Sequence, residues 1–255
     1  MPLRELQRRY TSLNLRRKLG SHNALSFLEL HAWDISRFED DFVGDTLNST
    51  YQSTASGANS VAAAISTGAV NGKILLDAGD ANAGRCDLSS GLHYQAQLNA
   101  IYVARFTVNS SLTRKFEIGF TDTISGTDAG AVNVKATPTW TADNAVVLVY
   151  DTNDDTNLTL MGVKATVASE VKDFSTAISG ASYYYFGVAL FANTEARGFL
   201  LDGDGAFLEE QVITSAITAT TQLTPWIFVQ NRAGTAGSIT LDWHGVYQRR
   251  TTTAN

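Results

Sequence analysis

Alternation of apolar and polar residues at period two, sustained over the last quarter of the chain, does most to limit what it can fold into. From Glu195 to Arg250 nearly every residue suits a strand or the turn that reverses one. Arg197-Gly198-Phe199-Leu200-Leu201 runs into Asp202-Gly203-Asp204-Gly205, and Asp-Gly between apolar runs is a strong short-range hairpin signal. Ala206 to Ile213 returns as a strand. Leu223 to Val229 follows, with Pro225 near its start, where a missing N–H does least harm. Ser238-Ile239-Thr240-Leu241-Asp242-Trp243 alternates as a strand with one buried and one solvated face must. Val246 and Tyr247 break that parity, so a bulge is expected at Gly245. Strands of this kind bury a single face and need a partner sheet.

The rest of the chain carries the same pattern. Phe38 to Val43, Ser60 to Ile65 and Lys73 to Asp77 read as strands, and Ala78 to Gly91 reads as a loop. Leu98, Ala100, Tyr102, Ala104, Phe106 and Val108 share one face, with Asn99, Arg105 and Thr107 on the other. Phe116, Ile118 and Phe120 should face the core, and Lys115, Glu117 and Thr121 water. Val132 to Trp140 is a broken strand around Pro138, and Ala145 to Tyr150 and Leu158 to Val167 are further strands. Ala168 to Gly180 is expected to be a loop packed on a sheet. Tyr183 to Phe191 is apolar on both sides, so it is either covered twice or carries an aromatic platform on its outer face. About twelve to fourteen strands at this spacing mark an all-β sandwich or barrel.

At 255 residues the chain fits one large sandwich, and a hydrophobic fraction of 44% suffices for its core. The single cysteine, Cys86, excludes an intrachain disulfide and any multi-cysteine zinc site, and suits a small buried position. No signal-peptide core or apolar run long enough to span a bilayer is visible, so synthesis in a cytoplasm is expected. Residues 1–37 form a basic arm and connection, 38–250 the sandwich and 251–255 a tail.

Charge separates arm from body. Arg4, Arg8, Arg9, Arg16, Arg17 and Lys18 stand against Glu5 alone in the first 20 residues, which is +5 and leaves −11 for the remainder of a chain at −6. Leu3, Leu6, Tyr10 and Leu13 fall on one face of a helix, so the arm is expected to be partly helical. A solvated terminus is the plainer reading of such a segment. The functional reading is an arm that docks on an acidic partner or bundles with its copies. A body at −11 argues against nucleic acid as the main ligand, and a membrane surface is not expected either. Leu25, Phe27, Leu28, Leu30 and Trp33 give residues 21–37 enough apolar surface to pack on something.

A strand ending in Asp-Gly, a returning strand, a Leu-Thr-Pro entry at 223–225, a Gly-rich turn and a last strand of the form Leu-Asp-Trp at 241–243 occur here in order. That order resembles the concanavalin A-like, laminin-G-like sandwiches of tailed-bacteriophage virion proteins, and the resemblance implies an all-β antiparallel sandwich of jelly-roll type. Asp40-Asp41-Phe42-Val43-Gly44-Asp45 is similar to the opening those domains use for their first strand. The resemblance spans roughly Phe38 to Arg250. It implies a virion component, homo-oligomeric on the particle, with the major capsid protein or another virion protein as partner.

Chemistry is sparse. Concanavalin A-like glucanases need paired carboxylates at alternate strand positions, whereas Glu117 has Lys115 and Gly119 as its alternate neighbours. The four histidines lie in no recognisable catalytic setting, and no phosphate loop or cysteine-histidine metal cluster is visible. Asp151, Asn153 and Asp155 alternate like calcium ligands, but Thr156 and Gly162 occupy positions where such a loop needs glycine and glutamate; a polar hairpin is expected instead. Trp140, Tyr184, Trp226 and Trp243 are candidate sugar-stacking residues, although alternation assigns Trp226 and Trp243 to the core. The expectation is a non-enzymatic virion structural protein without cofactors, a capsid decoration or cement protein held by its arm. The alternative is a lectin-like, glycan- or receptor-binding tail or fibre module.

Overall fold

The computed structural model describes residues 35–66, 72–109, 113–123, 130–232, 234 and 237–250. The arm residues Leu3 to Lys18 and the connection as far as 34 lie outside the described residues.

In chain order the first strands are β1 (Ile35–Asp40), β2 (Ala55–Ser56), β3 (Val61–Ile65), β4 (Ile74–Asp77), β5 (Arg85–Ser89), β6 (Ile101–Val108), β7 (Arg114–Thr121), β8 (Val132–Val134) and β9 (Thr139–Trp140). Then come β10 (Ala145–Asp151), β11 (Thr159–Lys164), β12 (Val167–Asp173), β13 (Tyr183–Leu190), β14 (Ala196–Asp202), β15 (Phe207–Ile213), β16 (Thr224–Asn231) and β17 (Ser238–Arg249). An eight-stranded sheet runs β15-β14-β13-β6-β17-β4-β3, with β1 also on β17, and a seven-stranded sheet runs β12-β11-β10-β7-β16-β5-β2. Every pairing is antiparallel.

Alternation decides which residues meet between the sheets. Tyr102, Ala104 and Phe106 of β6 and Phe186 of β13 face Phe116, Ile118 and Phe120 of β7 in one continuous core. Phe106 stacks on Phe186 at 4.3 Å and meets Phe116 edge-on at 5.6 Å, the offset and T-shaped geometries that aromatic quadrupoles favour. Cys86 is buried in the same core. His244 is buried too, with Nδ1 3.2 Å from the Tyr102 hydroxyl and Nε2 2.6 Å from that of Tyr51. Tyr51 gives its proton to Asp40 at 2.9 Å, so His244 is the donor at Nε2 and the acceptor at Nδ1.

Several expectations require correction. Arg85 to Ser89 is a strand, not part of a loop: Cys86 and Leu88 point inward as ordinary apolar residues and Arg85, Asp87 and Ser89 point outward. Residues 167–173 are also a strand, on the sheet edge; nearly all of them are exposed, so no burial pattern marks it. The first strand begins three residues earlier than Phe38 and ends at Asp40. The bulge of the last strand lies between Leu241 and Trp243, not at Gly245. Lys115, Glu117 and Thr121 do not face water; they are fully buried beneath a second layer formed by residues 130–144.

Candidate functional site

Cross-strand register brings one set of residues together on the outer face of the eight-stranded sheet. Trp243 of β17 pairs with Arg105 of β6, Arg105 with Tyr185 of β13, Tyr185 with Leu201 of β14, and Leu201 with Phe207 of β15. Five strands at roughly 4.8 Å spacing make this row about 19 Å long. Trp243 joins it because a bulge absorbs Asp242. With Asp242 inserted, Leu241 still faces the core opposite Phe106, while Asp242 is left unpaired beside Trp243, which faces outward opposite Arg105. Bulges are a common device for aiming a side chain at a site.

The row is held in place by charge and ring contacts. The Arg105 guanidinium is 4.4 Å from the Tyr183 ring centroid and 5.7 Å from that of Tyr185. Its Nη1 donates to Asp242 in an ion pair, and its Nη2 donates to the Gly203 carbonyl at 3.4 Å. Lys73 Nζ lies 5.4 Å from the Tyr183 ring, and Trp243 meets Tyr185 at 6.4 Å between centroids. Burial raises the Tyr185 phenol above its ordinary range against the opposing effect of Arg105, so it stays a neutral donor. Ile101, Val103, Ala189 and Phe199 complete an apolar floor, on which Tyr185, Phe207 and Trp243 are half-buried. Gly187 makes room for it: a Cβ there would lie 2.1 Å from the Phe199 ring. Half-buried rings beside a fixed cation and a carboxylate suit a ligand that has apolar C–H faces and many hydroxyls.

The outer face of the seven-stranded sheet is, by contrast, filled. Glu117 accepts hydrogen bonds from the backbone N–H groups of Ala131 and Val132 and from the Trp226 indole, at 2.8, 3.1 and 3.0 Å. Lys115 sits 2.8 Å from Glu117, donates to the Val132 carbonyl and lies 5.4 Å from the Phe228 ring. The pair fastens residues 130–132 to the sheet. Trp226 is buried there, with Trp140 half-buried on the same apolar cluster. Three N–H donors and the Lys115 ammonium thus surround the two Glu117 oxygens.

The candidate sugar-stacking residues are thus not one constellation. Trp226 and Trp140 belong to the covered face of the smaller sheet. Tyr184 turns its ring to the inter-sheet core and accepts the Ser179 N–H at 3.0 Å. Trp243 alone lies on the outer row, half-exposed and not in the core to which regular alternation assigned it. An aromatic platform on the outer face of Tyr183 to Phe191 was one of the two readings that this run allowed, but Tyr183, Tyr185 and Arg105 were not singled out as its members. The calcium candidates are held by side-chain cations. Asp151 is gripped by Arg232 at 2.8 and 2.5 Å, and Asp155 pairs with Lys135. Asn153 donates its backbone N–H to Asp151 at 3.1 Å, as in a polar turn. Among the described residues no group of three or more histidine, cysteine or acidic side chains converges as a metal site.

No family model matches the sequence, and no curated protein does. Solved structures do. A protein of unknown function from Shewanella oneidensis MR-1 aligns with a TM-score of 0.61 at 14% identity, over 87% of this chain and 90% of that one. Peanut lectin gives 0.59 at 10% identity, over 86% and 100%. The β-glucanase of Bacillus licheniformis gives 0.54 at 15% identity, over 84% and 98%. At these identities the likeness is one of architecture, and with the two antiparallel sheets it establishes that the chain has the concanavalin A-like β-sandwich fold.

Proposed function

We propose that the chain is a non-catalytic carbohydrate-binding module, with the glycan lying across Trp243, Arg105, Tyr185 and Phe207 on the outer face of the larger sheet. The observation that carries this reading is the bulge at Asp242, which sets a tryptophan beside an arginine already fixed between two tyrosines. The presence of a lectin among the similar structures supports it. Glycan-array binding tests it. Trp243→Ala should weaken binding about tenfold, the scale of one aromatic contact, with Trp140→Ala as the control that leaves affinity unchanged. Full-length protein that binds no glycan, or a Trp243→Ala variant that binds as well as wild type, would count against the site.

The setting we propose for this module is the surface of a phage particle, where the basic arm would hold the body on the major capsid protein or another acidic virion protein. Ile35 pairs with Arg249, so the two ends of the described chain lie on neighbouring strands. Immunolabelling of particles tests it: label in high copy over the head supports decoration, label at the tail tip supports a receptor-binding module, and no label on particles removes the virion setting.

A further inference from the structure

We infer that residues 21–34 turn back over the outer face of the larger sheet and cover the aromatic row, so that the chain's own segment and a glycan compete for one surface. The competition rests on the glycan reading, whereas the contact does not. Strand register makes this a single face, because residues directly opposite each other on paired strands point the same way. Next to the pair Trp243 and Arg105 comes Gly245 with Val103, and then Tyr247 with Ile101. Arg37 of β1 is opposite Tyr247, and Ile35, two positions earlier, is opposite Arg249, so both lie on this face too.

Ile35 is the residue that points to the cover. It opens an edge strand in an outward position and is nevertheless only 7% exposed. It belongs to none of the apolar clusters that the described residues form among themselves. The chain that enters this strand is therefore the nearest source of a shield for it, and that chain is apolar. Leu25, Phe27, Leu28, Leu30 and Trp33 fall within 14 residues, more large apolar surface than a segment left in water ordinarily carries. The outer face of the larger sheet offers what such a segment needs, an apolar floor with Tyr185, Phe207 and Trp243 half-buried on it. The other outer face is taken, since residues 130–144 already fill it through Glu117 and Trp226. Reach permits the contact. From Ile35 to the level of Trp243 is about 20 Å along the strands and from β1 to β13 about 14 Å across them, a diagonal of about 25 Å. Residues 21–34 extended cover up to about 48 Å, which leaves enough chain for the turn. Tethering supplies an effective concentration on the order of millimolar, which favours the chain's own face over that of a neighbour.

Hydroxyl-radical footprinting of the full-length protein, read residue by residue by mass spectrometry, decides the matter. In a Phe27→Ser/Leu28→Ser/Leu30→Ser variant the Trp243 and Tyr185 side chains should be oxidised up to about tenfold faster than in wild type, the ratio for a row uncovered about one-tenth of the time. Trp140, on the smaller sheet, should keep its rate and so show that the body is intact. Glycan affinity should rise by about the same tenfold factor, because only the uncovered fraction binds. Oxidation of Trp243 and Tyr185 at equal rates in the two proteins would overturn the proposal. Protection that grows with protein concentration would overturn it in favour of a second copy's segment. Faster oxidation in the variant, with no glycan bound by either protein, would uphold the cover and reject the glycan site alone.

Discussion

A lysine and a glutamate at alternate positions on one strand read, from sequence, as a solvated pair. Lys115 and Glu117 are instead fully buried, and their worth lies in what they hold down. Glu117→Ala should destabilise the fold by about 3–5 kcal/mol in urea unfolding, because it takes the carboxylate away from the buried Lys115 ammonium and from the N–H donors of Ala131, Val132 and Trp226. Two other buried groups set the pH dependence, with opposite signs. Burial lowers His244 to about 3 from an ordinary value of 6.5, so only the unfolded chain takes up a proton in between, and stability falls as pH drops through that window. Burial outweighs the two Thr54 hydrogen bonds on Asp87 and raises its carboxyl to about 6 from 3.8. Here the folded state holds a proton that the unfolded chain has lost, so stability falls as pH rises between those values. Asp87→Asn should therefore raise the melting temperature at pH 7.5, by at most about 3 kcal/mol in stability, and give little gain at pH 4. His244→Gln should flatten the acid limb. Melting curves from pH 3 to 8 separate the two effects.

At the scale of the element, β17 carries most of the functional information and shows why it was only half legible. The alternation Ile239, Leu241 and then Val246 announces an inward face and a change of parity between them. Glycine tolerates bulges well, which drew the expected position to Gly245, whereas the irregularity lies at Asp242. Position within a bulge is fixed by the partner strand, and β6 places Arg105 where Asp242 can neutralise it. Removing the inserted residue leaves the pairing of Leu241 with Phe106 and Trp243 with Arg105 in register. Deletion of Asp242 should accordingly give a folded protein, by circular dichroism and melting, whose glycan binding is weakened because Arg105 has lost its carboxylate. A deletion variant that unfolds would show that the bulge is needed for folding itself. The strands β5 and β12 were unread for different reasons. In β5 a cysteine and a leucine alternate with polar residues over a span too short to stand out. In β12 exposure along almost the whole strand leaves no alternation to read.

For the whole molecule, two sheets enclose one core, and their outer faces are treated differently. The smaller sheet is sealed by residues 130–144 through Glu117 and Trp226, while the larger keeps an aromatic row half-open. Adding a surface charge at each face would test that asymmetry: Tyr185→Glu should leave the melting temperature within a few degrees yet abolish glycan binding, whereas Val147→Glu, fully buried beneath the cover, should prevent folding. The sequence by itself determined the two-sheet sandwich and the inward faces of its main strands, because the period of two is a local property of an extended chain. It also determined the basic arm and the acidic body. Only the tertiary structure decided which outer face is covered, where the bulge falls and which aromatics share a row. Those outcomes rest on contacts between residues far apart in the chain, 137 positions for Arg105 and Asp242 and 109 for Glu117 and Trp226, which are fixed by strand register and not by local pattern.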